Sequence, residues 1–219
     1  MARPLVIFDL DGTLVDSAPC IAAALNATGL GRHLLSVDDV RPLVSLGAEQ
    51  LVREALLVPE PEISTAVNAF RTHYAKEPCR ADDAYPGVHE VMRELRTRSI
   101  ALAICTNKPQ RLAELAMDCA GLLADAVVGS VPHLPPKPDP ALIRHVLALL
   151  GHPTKILFVG DSIVDATAAN AAGVPFVFAA FGYGPVAPAE RCMSVISRFD
   201  ELRDVIRTSW QLEREDRPL

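Results

Sequence analysis

Leu5-Val-Ile-Phe8 is a short apolar run, rich in branched side chains, that ends at two acids, Asp9 and Asp11, followed by Gly12-Thr13. A stretch that is apolar at every position reads as a strand buried on both faces, and such a strand needs a parallel sheet around it. Asp9 and Asp11 stand two residues apart at its carboxyl end, so on extended chain they share one side and repel each other. In an open α/β sheet ligands bind in the crevice outside the carboxyl ends of the strands, and a cation or a reaction there explains the repulsion. For the two acids alone, a polar turn after a strand is the other reading. Gly12 lets the chain turn sharply away.

Residues 17–82 carry helical signals and no convincing strand. Asp16 or Ser17 is expected to cap a helix with Pro19 in its first turn, running to Gly29. A second helix is expected from Ser36. A third begins near Gly47, with Leu51, Val52, Ala55 and Leu56 on one face, and a fourth carries the stripe Ile63, Val67, Phe70 and Tyr74. This region is read as an all-helical domain inserted into a core formed by residues 1–16 and 83–219. Pro86-Gly87 marks re-entry, and strands and helices then alternate. The second strand, Ile100 to Cys105, ends in Thr106-Asn107-Lys108-Pro109, and a short third spans residues 126–129. A proline-rich loop, residues 135–140, holds Lys137. The fourth strand, Ile156 to Val159, leads into Gly160-Asp161-Ser162-Ile163-Val164-Asp165, and a fifth covers residues 175–179 ahead of Gly182-Tyr183-Gly184. The alternation predicts a doubly wound, Rossmann-like parallel sheet of five or more strands.

Composition narrows the partners. With a net charge of -6 and no Lys/Arg run, the chain lacks the basic footprint of a nucleic-acid binder. No apolar run reaches membrane-spanning length, and no charged stretch precedes an apolar one at the start, so neither a membrane partner nor a secretory signal is expected. The five cysteines are odd in number and form no Cys-x-x-Cys, which fits a reducing cytoplasm. Cys105 reads as a small core residue rather than a nucleophile. The six histidines form no metal-ligand spacing.

The nine residues from Asp9 to Ser17 resemble the first motif of the haloacid dehalogenase superfamily, specifically its phosphatases. Thr106 after the second strand, Lys137 in its loop, and Asp161 with Asp165 after the fourth strand match the other three motifs in the family's order. The resemblance spans essentially the whole chain. It implies that Asp9 is a nucleophile forming an aspartyl-phosphate and that Asp11 is the general acid and base. Thr106, the Asn107 amide and Lys137 are implied to surround the transferring phosphoryl group. Mg²⁺ is implied on the Asp9 carboxylate, the Asp11 backbone carbonyl and Asp161, with Asp165 orienting waters or Lys137. An acid at position 11 points to phosphate esters rather than carbon–halogen or phosphonate bonds. A mutase of the β-phosphoglucomutase kind keeps all four motifs, whereas a non-catalytic binding module has no need of Asp11.

Val44 to Leu56, and Phe181-Gly182-Tyr183-Gly184, resemble phosphoglycolate phosphatases, with Ser45 where Gly is frequent. The implied enzyme is a Mg²⁺-dependent phosphomonoester hydrolase, a cytoplasmic monomer or homodimer acting on 2-phosphoglycolate. Another small ester, such as a nucleotide, sugar phosphate or biosynthetic intermediate, is the alternative. In the helical insertion, Gly47 would let the backbone approach substrate, and Arg53 or Arg41 would pair with a substrate carboxylate. Hinges are expected near Val15-Asp16 and Tyr85-Pro86.

Overall fold

In a computed structural model, residues 3–184 and 191–211 are described. The first strand, β1 (Leu5–Phe8), is buried at every position. It is flanked in parallel by β2 (Ala101–Pro109) on one side and β4 (Ile156–Gly160) on the other. With β3 (Ala126–Ser130), β5 (Phe176–Ala179) and β6 (Ser194–Ile196) they form a six-stranded sheet in the order β3-β2-β1-β4-β5-β6, all parallel. The fold is the α/β one anticipated from the strand–helix alternation. β6 was not anticipated, because it is three residues long at the sheet edge and only Ile196 is buried, so no apolar run marks it.

Alternate residues of β1 feed two cores. Val6 and Phe8 pack with α5 (Val88–Thr97), α6 (Gln110–Cys119) and α9 (Leu202–Trp210). Leu5 and Ile7 pack with α7 (Ala141–Leu149) and α8 (Ile163–Ala172). This two-sided burial is why β1 is apolar throughout.

Between β1 and α5 lie α1 (Ala18–Ala27), α2 (Val37–Val40) with a 3₁₀ turn over Arg41–Leu46, α3 (Ala48–Leu56) and α4 (Ile63–Lys76). Their apolar stripes, including Ile21, Leu25, Val52, Leu56, Val67, Phe70 and Tyr74, close on one another and run on into the Val6/Phe8 core. The two chain segments joining these helices to the sheet pair with each other. Val15 bridges Ala84 in antiparallel fashion, the Asp16 N–H donates to the Asp83 carbonyl at 2.8 Å, and the Tyr85 N–H donates to that of Leu14 at 3.0 Å.

The start of α1 differs from expectation. Ser17 occupies the N-cap position in a helical conformation, and its buried hydroxyl accepts nothing from the first turn. The Tyr183 hydroxyl, 165 residues on, accepts from the Ala18 N–H at 3.0 Å and donates to Asp16 Oδ1 at 2.6 Å. Among the described residues no helix is long and apolar enough to cross a membrane.

Candidate active site

The sheet order reverses direction between β1 and β4, and the loops after these two strands open a crevice there. Asp9 leaves β1 with its N–H still paired to the Val159 carbonyl at 2.9 Å, so its position is set by the sheet. Asp9 Oδ1 forms an ion pair with Lys137 Nζ at 2.9 Å, yet this buried oxygen receives no well-directed hydrogen bond. The same ammonium donates to the Cys105 carbonyl at 2.8 Å and to Asp165 Oδ1 at 2.5 Å. Burial opposes the charge on Lys137, but the Asp165 and Asp9 carboxylates outweigh it and raise the ammonium's pKa. The other Asp165 oxygen accepts from the Ser162 N–H and hydroxyl, closing a capping box at the start of α8. One carboxylate thus caps a helix and holds Lys137.

Asn107 anchors the lysine loop. Its carboxamide donates to the Lys137 carbonyl and accepts from the Lys137 N–H, each at 2.8 Å. Its side chain thus anchors the Lys137 backbone, and Asn107 also lines the cavity over Asp9. Thr106 is buried, and its hydroxyl oxygen accepts from the Lys108 N–H at 3.2 Å.

Asp161 follows β4 and faces Asp9. Its Oδ1 accepts from the Thr13 hydroxyl at 3.2 Å and its Oδ2 from the Tyr183 N–H at 2.7 Å. Gly12, at φ 84°, passes so close that a Cβ there would stand 2.4 Å from Asp161 Oδ2. One at Gly182 would stand 2.2 Å from the Asp161 Cβ. These two glycines let the loops after β1 and β5 close on the aspartate.

Oxygens of Asp9, Asp161 and Asp165 lie within 4.8 Å of one another. Burial pushes the Asp9 carboxyl up to about 8, against the pull of Lys137, with Asp165 and Asp161 adding to the rise. Burial, then Asp165, pushes Asp161 up to about 7. Fully ionised, the three carboxyl groups would carry two more negative charges than the one ammonium balances. All the side-chain donors are hard oxygens and one Asp9 oxygen lacks a hydrogen-bond donor, so the residues fit a divalent oxygen-seeking cation of the Mg²⁺ kind.

Asp11 has a partner that sequence reasoning missed. Lys108 Nζ donates to both its oxygens, at 2.9 and 3.2 Å, and the Lys108 side chain is only 7% exposed. The ammonium also sits 4.1 Å from the centre of the Tyr74 ring, which α4 brings across from the helical insertion. A signal was present: Lys108 lies two residues after Thr106 on extended chain and so on the same side.

A cavity of about 50 Å³ opens over these groups, lined by Asp9, Asp11, Thr106, Lys108 and Lys137 below and by Gly47, Leu51 and Tyr74 above. Neither arginine proposed from sequence lines it. Arg41 pairs with Asp16 and Asp38, each at 3.3 Å, and Arg53 is held by Glu60 and by Glu49. The reason is the register of α3, which stacks Arg53 one turn above Glu49 and away from the buried stripe of Leu51, Val52 and Leu56. Among the described residues of the helical insertion, the arginine that lines the cavity is the exposed Arg71 of α4.

Residues 4–173 match the haloacid dehalogenase-like hydrolase family. The chain is 39% identical over 216 residues to a phosphoglycolate phosphatase of Rhodospirillum rubrum, covering 91% of this chain and 89% of that one. It is 37% identical over 215 residues to a phosphoglycolate phosphatase of Pseudomonas fluorescens, covering 92% and 78%. The crystal structure of a protein described as a predicted phosphoglycolate phosphatase, from Haemophilus somnus, superposes with a TM-score of 0.82 at 29% identity, covering 93% of this chain and 97% of that one. By fold, by the order of its motifs and by these relatives, the chain belongs to the haloacid dehalogenase-like hydrolases.

Proposed function

We propose that this hydrolase is a Mg²⁺-dependent phosphatase that cleaves 2-phosphoglycolate through a phosphoenzyme intermediate on Asp9. The observation that carries the reading is the buried grouping of Asp9 with Lys137, Asp161 and Asp165 beside a second acid, Asp11. An Asp9 carboxylate oxygen attacks phosphorus, and the bond from phosphorus to the ester oxygen breaks. Asp11 gives its proton to the leaving alkoxide. It then takes a proton from the water that attacks the phosphoaspartate, and the bond from phosphorus to Asp9 breaks, releasing inorganic phosphate. Lys137, fixed by Asp165 and the Cys105 carbonyl, sets a positive charge beside the attacking oxygen where the transition state spreads negative charge. Thr106 lies beside the same space.

Asp9, Asp161 and the Asp11 backbone carbonyl would hold Mg²⁺, which neutralises phosphoryl charge and offsets the burial that otherwise protonates Asp9. Asp165 supports this arrangement through Lys137. Residues 17–82 act as the cap that shuts water out, hinged where Val15 and Ala84 pair, with Gly47 at the roof. The cavity opens directly over Asp9, Asp11 and Lys137, and relatives matched along nearly the whole chain are named phosphoglycolate phosphatase. The reading places the enzyme in the cytoplasm as a monomer or homodimer.

Turnover of 2-phosphoglycolate against a panel of small phosphomonoesters, ranked by kcat/KM with and without Mg²⁺, tests it. Phosphoglycolate should lead and chelation should abolish turnover. A different leading ester overturns the substrate, and full activity after chelation overturns the cation.

A further inference from the structure

We propose that Lys108 reads the carboxylate of the leaving group. This rests on the reading of 2-phosphoglycolate as substrate and names the residue that selects it. The argument starts from bond counting. In this ester a single methylene separates the carboxylate from the ester oxygen that departs. Whatever protonates that oxygen therefore lies within a few ångströms of the carboxylate. Asp11 is the proton donor, and Lys108 Nζ is held 2.9 and 3.2 Å from its two oxygens. A cation at that place meets the substrate carboxylate while Asp11 faces the ester oxygen.

The placement of Lys108 is that of a built contact. Its backbone belongs to β2, and its ammonium is almost fully buried between Asp11 on the sheet side and the Tyr74 ring on the cap side. It lines the same cavity as Asp9 and Lys137. The Tyr74 face favours the charge without itself offering an anion that would compete with an incoming carboxylate. Arg41 and Arg53 are occupied by acids of their own, and Arg71 is exposed. Lys108 balances Asp11 before substrate binds. A substrate carboxylate then takes up the ammonium, and the freed Asp11 carboxylate takes a proton from solvent and turns it to the ester oxygen. A neutral leaving group supplies no such exchange.

Lys108→Met and Lys108→Arg test this, with kcat/KM measured on 2-phosphoglycolate and on ethyl phosphate, whose leaving group is neutral. In Lys108→Met the preference for phosphoglycolate over ethyl phosphate should fall at least about tenfold, the loss of one charge-assisted contact. Lys108→Arg should restore part of it. Glycolate should inhibit ethyl phosphate turnover by the wild type and lose that effect in Lys108→Met. Lys108→Gln, which still donates to Asp11, gives the same comparison if the Met variant does not fold. An unchanged preference, or equal losses on both esters, overturns the proposal while leaving the substrate assignment intact. A wild type that cleaves ethyl phosphate but not phosphoglycolate overturns the substrate assignment and the proposal together.

Discussion

Lys137 is a buried ammonium with three oxygen partners, and its neighbours divide the work among themselves. Asp9 has the oxygen that lacks a hydrogen-bond donor, Asp161 is held by loops on two sides, and Asp165 serves the lysine and the helix start together. Asp9→Asn should keep the fold and retain under about a thousandth of the turnover, since a neutral amide is a poor nucleophile. Circular dichroism with a steady-state assay checks both halves. Asp165→Ala removes a cap and a buried ion-pair partner at once, so denaturant unfolding should show a loss of about 2–4 kcal/mol. A loss under about 1 kcal/mol would show that Lys137 is satisfied without it. Asp161→Ala should raise the Mg²⁺ concentration for half-maximal activity much more than Asp165→Ala does, because a direct ligand contributes more than an orienting one. Equal shifts would mean that the two acids share the ion.

At the scale of elements, the first helix of the insertion is tied to the sheet by one phenol. Tyr183 lies in the loop after β5, takes the Ala18 N–H and holds Asp16, while its own N–H fixes Asp161. One loop therefore joins the start of α1 to the acidic cluster. Tyr183→Phe leaves the Ala18 amide without its acceptor and should cost about 1–2 kcal/mol in thermal or denaturant unfolding. The start of β3 offers a second check. Asp125 is partly buried, which opposes its ionisation, but the Leu102 N–H and the Arg3 guanidinium outweigh that and hold its carboxyl below the usual carboxylate range. A depressed folded-state pKa contributes stability above the ordinary carboxylate pKa, and that stability is lost as pH falls through the folded value. Asp125→Asn should therefore lower the melting temperature at pH 7 and differ less and less from the wild type below about pH 4. A gap that persists undiminished at pH 2 would refute this origin.

For the whole molecule, the strand order puts residues from positions 9 and 161 at adjacent strand ends, β1 and β4, and the crossovers fill both faces with helices. Three acids gathered this way are costly to bury together without a cation. Mg²⁺ at a hundred times its dissociation constant should stabilise the fold by about 2.7 kcal/mol. The melting temperature of the wild type should rise by several degrees with Mg²⁺, return on chelation, and stay flat in Asp161→Ala. A wild type indifferent to Mg²⁺ would remove the basis for the cation site.

Periodicity and local chemistry carried much of this in one dimension. Unbroken apolar runs mark β1, β2 and β4, spaced apolar stripes mark α3 and α4, and acids, Thr106 and Lys137 stand just beyond strand ends. Burial on both faces leaves no other composition for such strands, which is why the sheet was readable. β6 was not, since an edge strand with one buried residue needs no apolar run. Which groups meet across the crevice was decided by tertiary structure alone. Lys108 finds Asp11 across 97 residues, Tyr183 caps a helix 165 residues away, and the Asn107 carboxamide turns to the lysine loop. Arg41 pairs with Asp16 and Asp38, and Arg53 with Glu49 and Glu60. Alternation along a strand tells which side a residue occupies. Only the order and register of the strands, and the seating of the cap helices over them, determine what stands opposite.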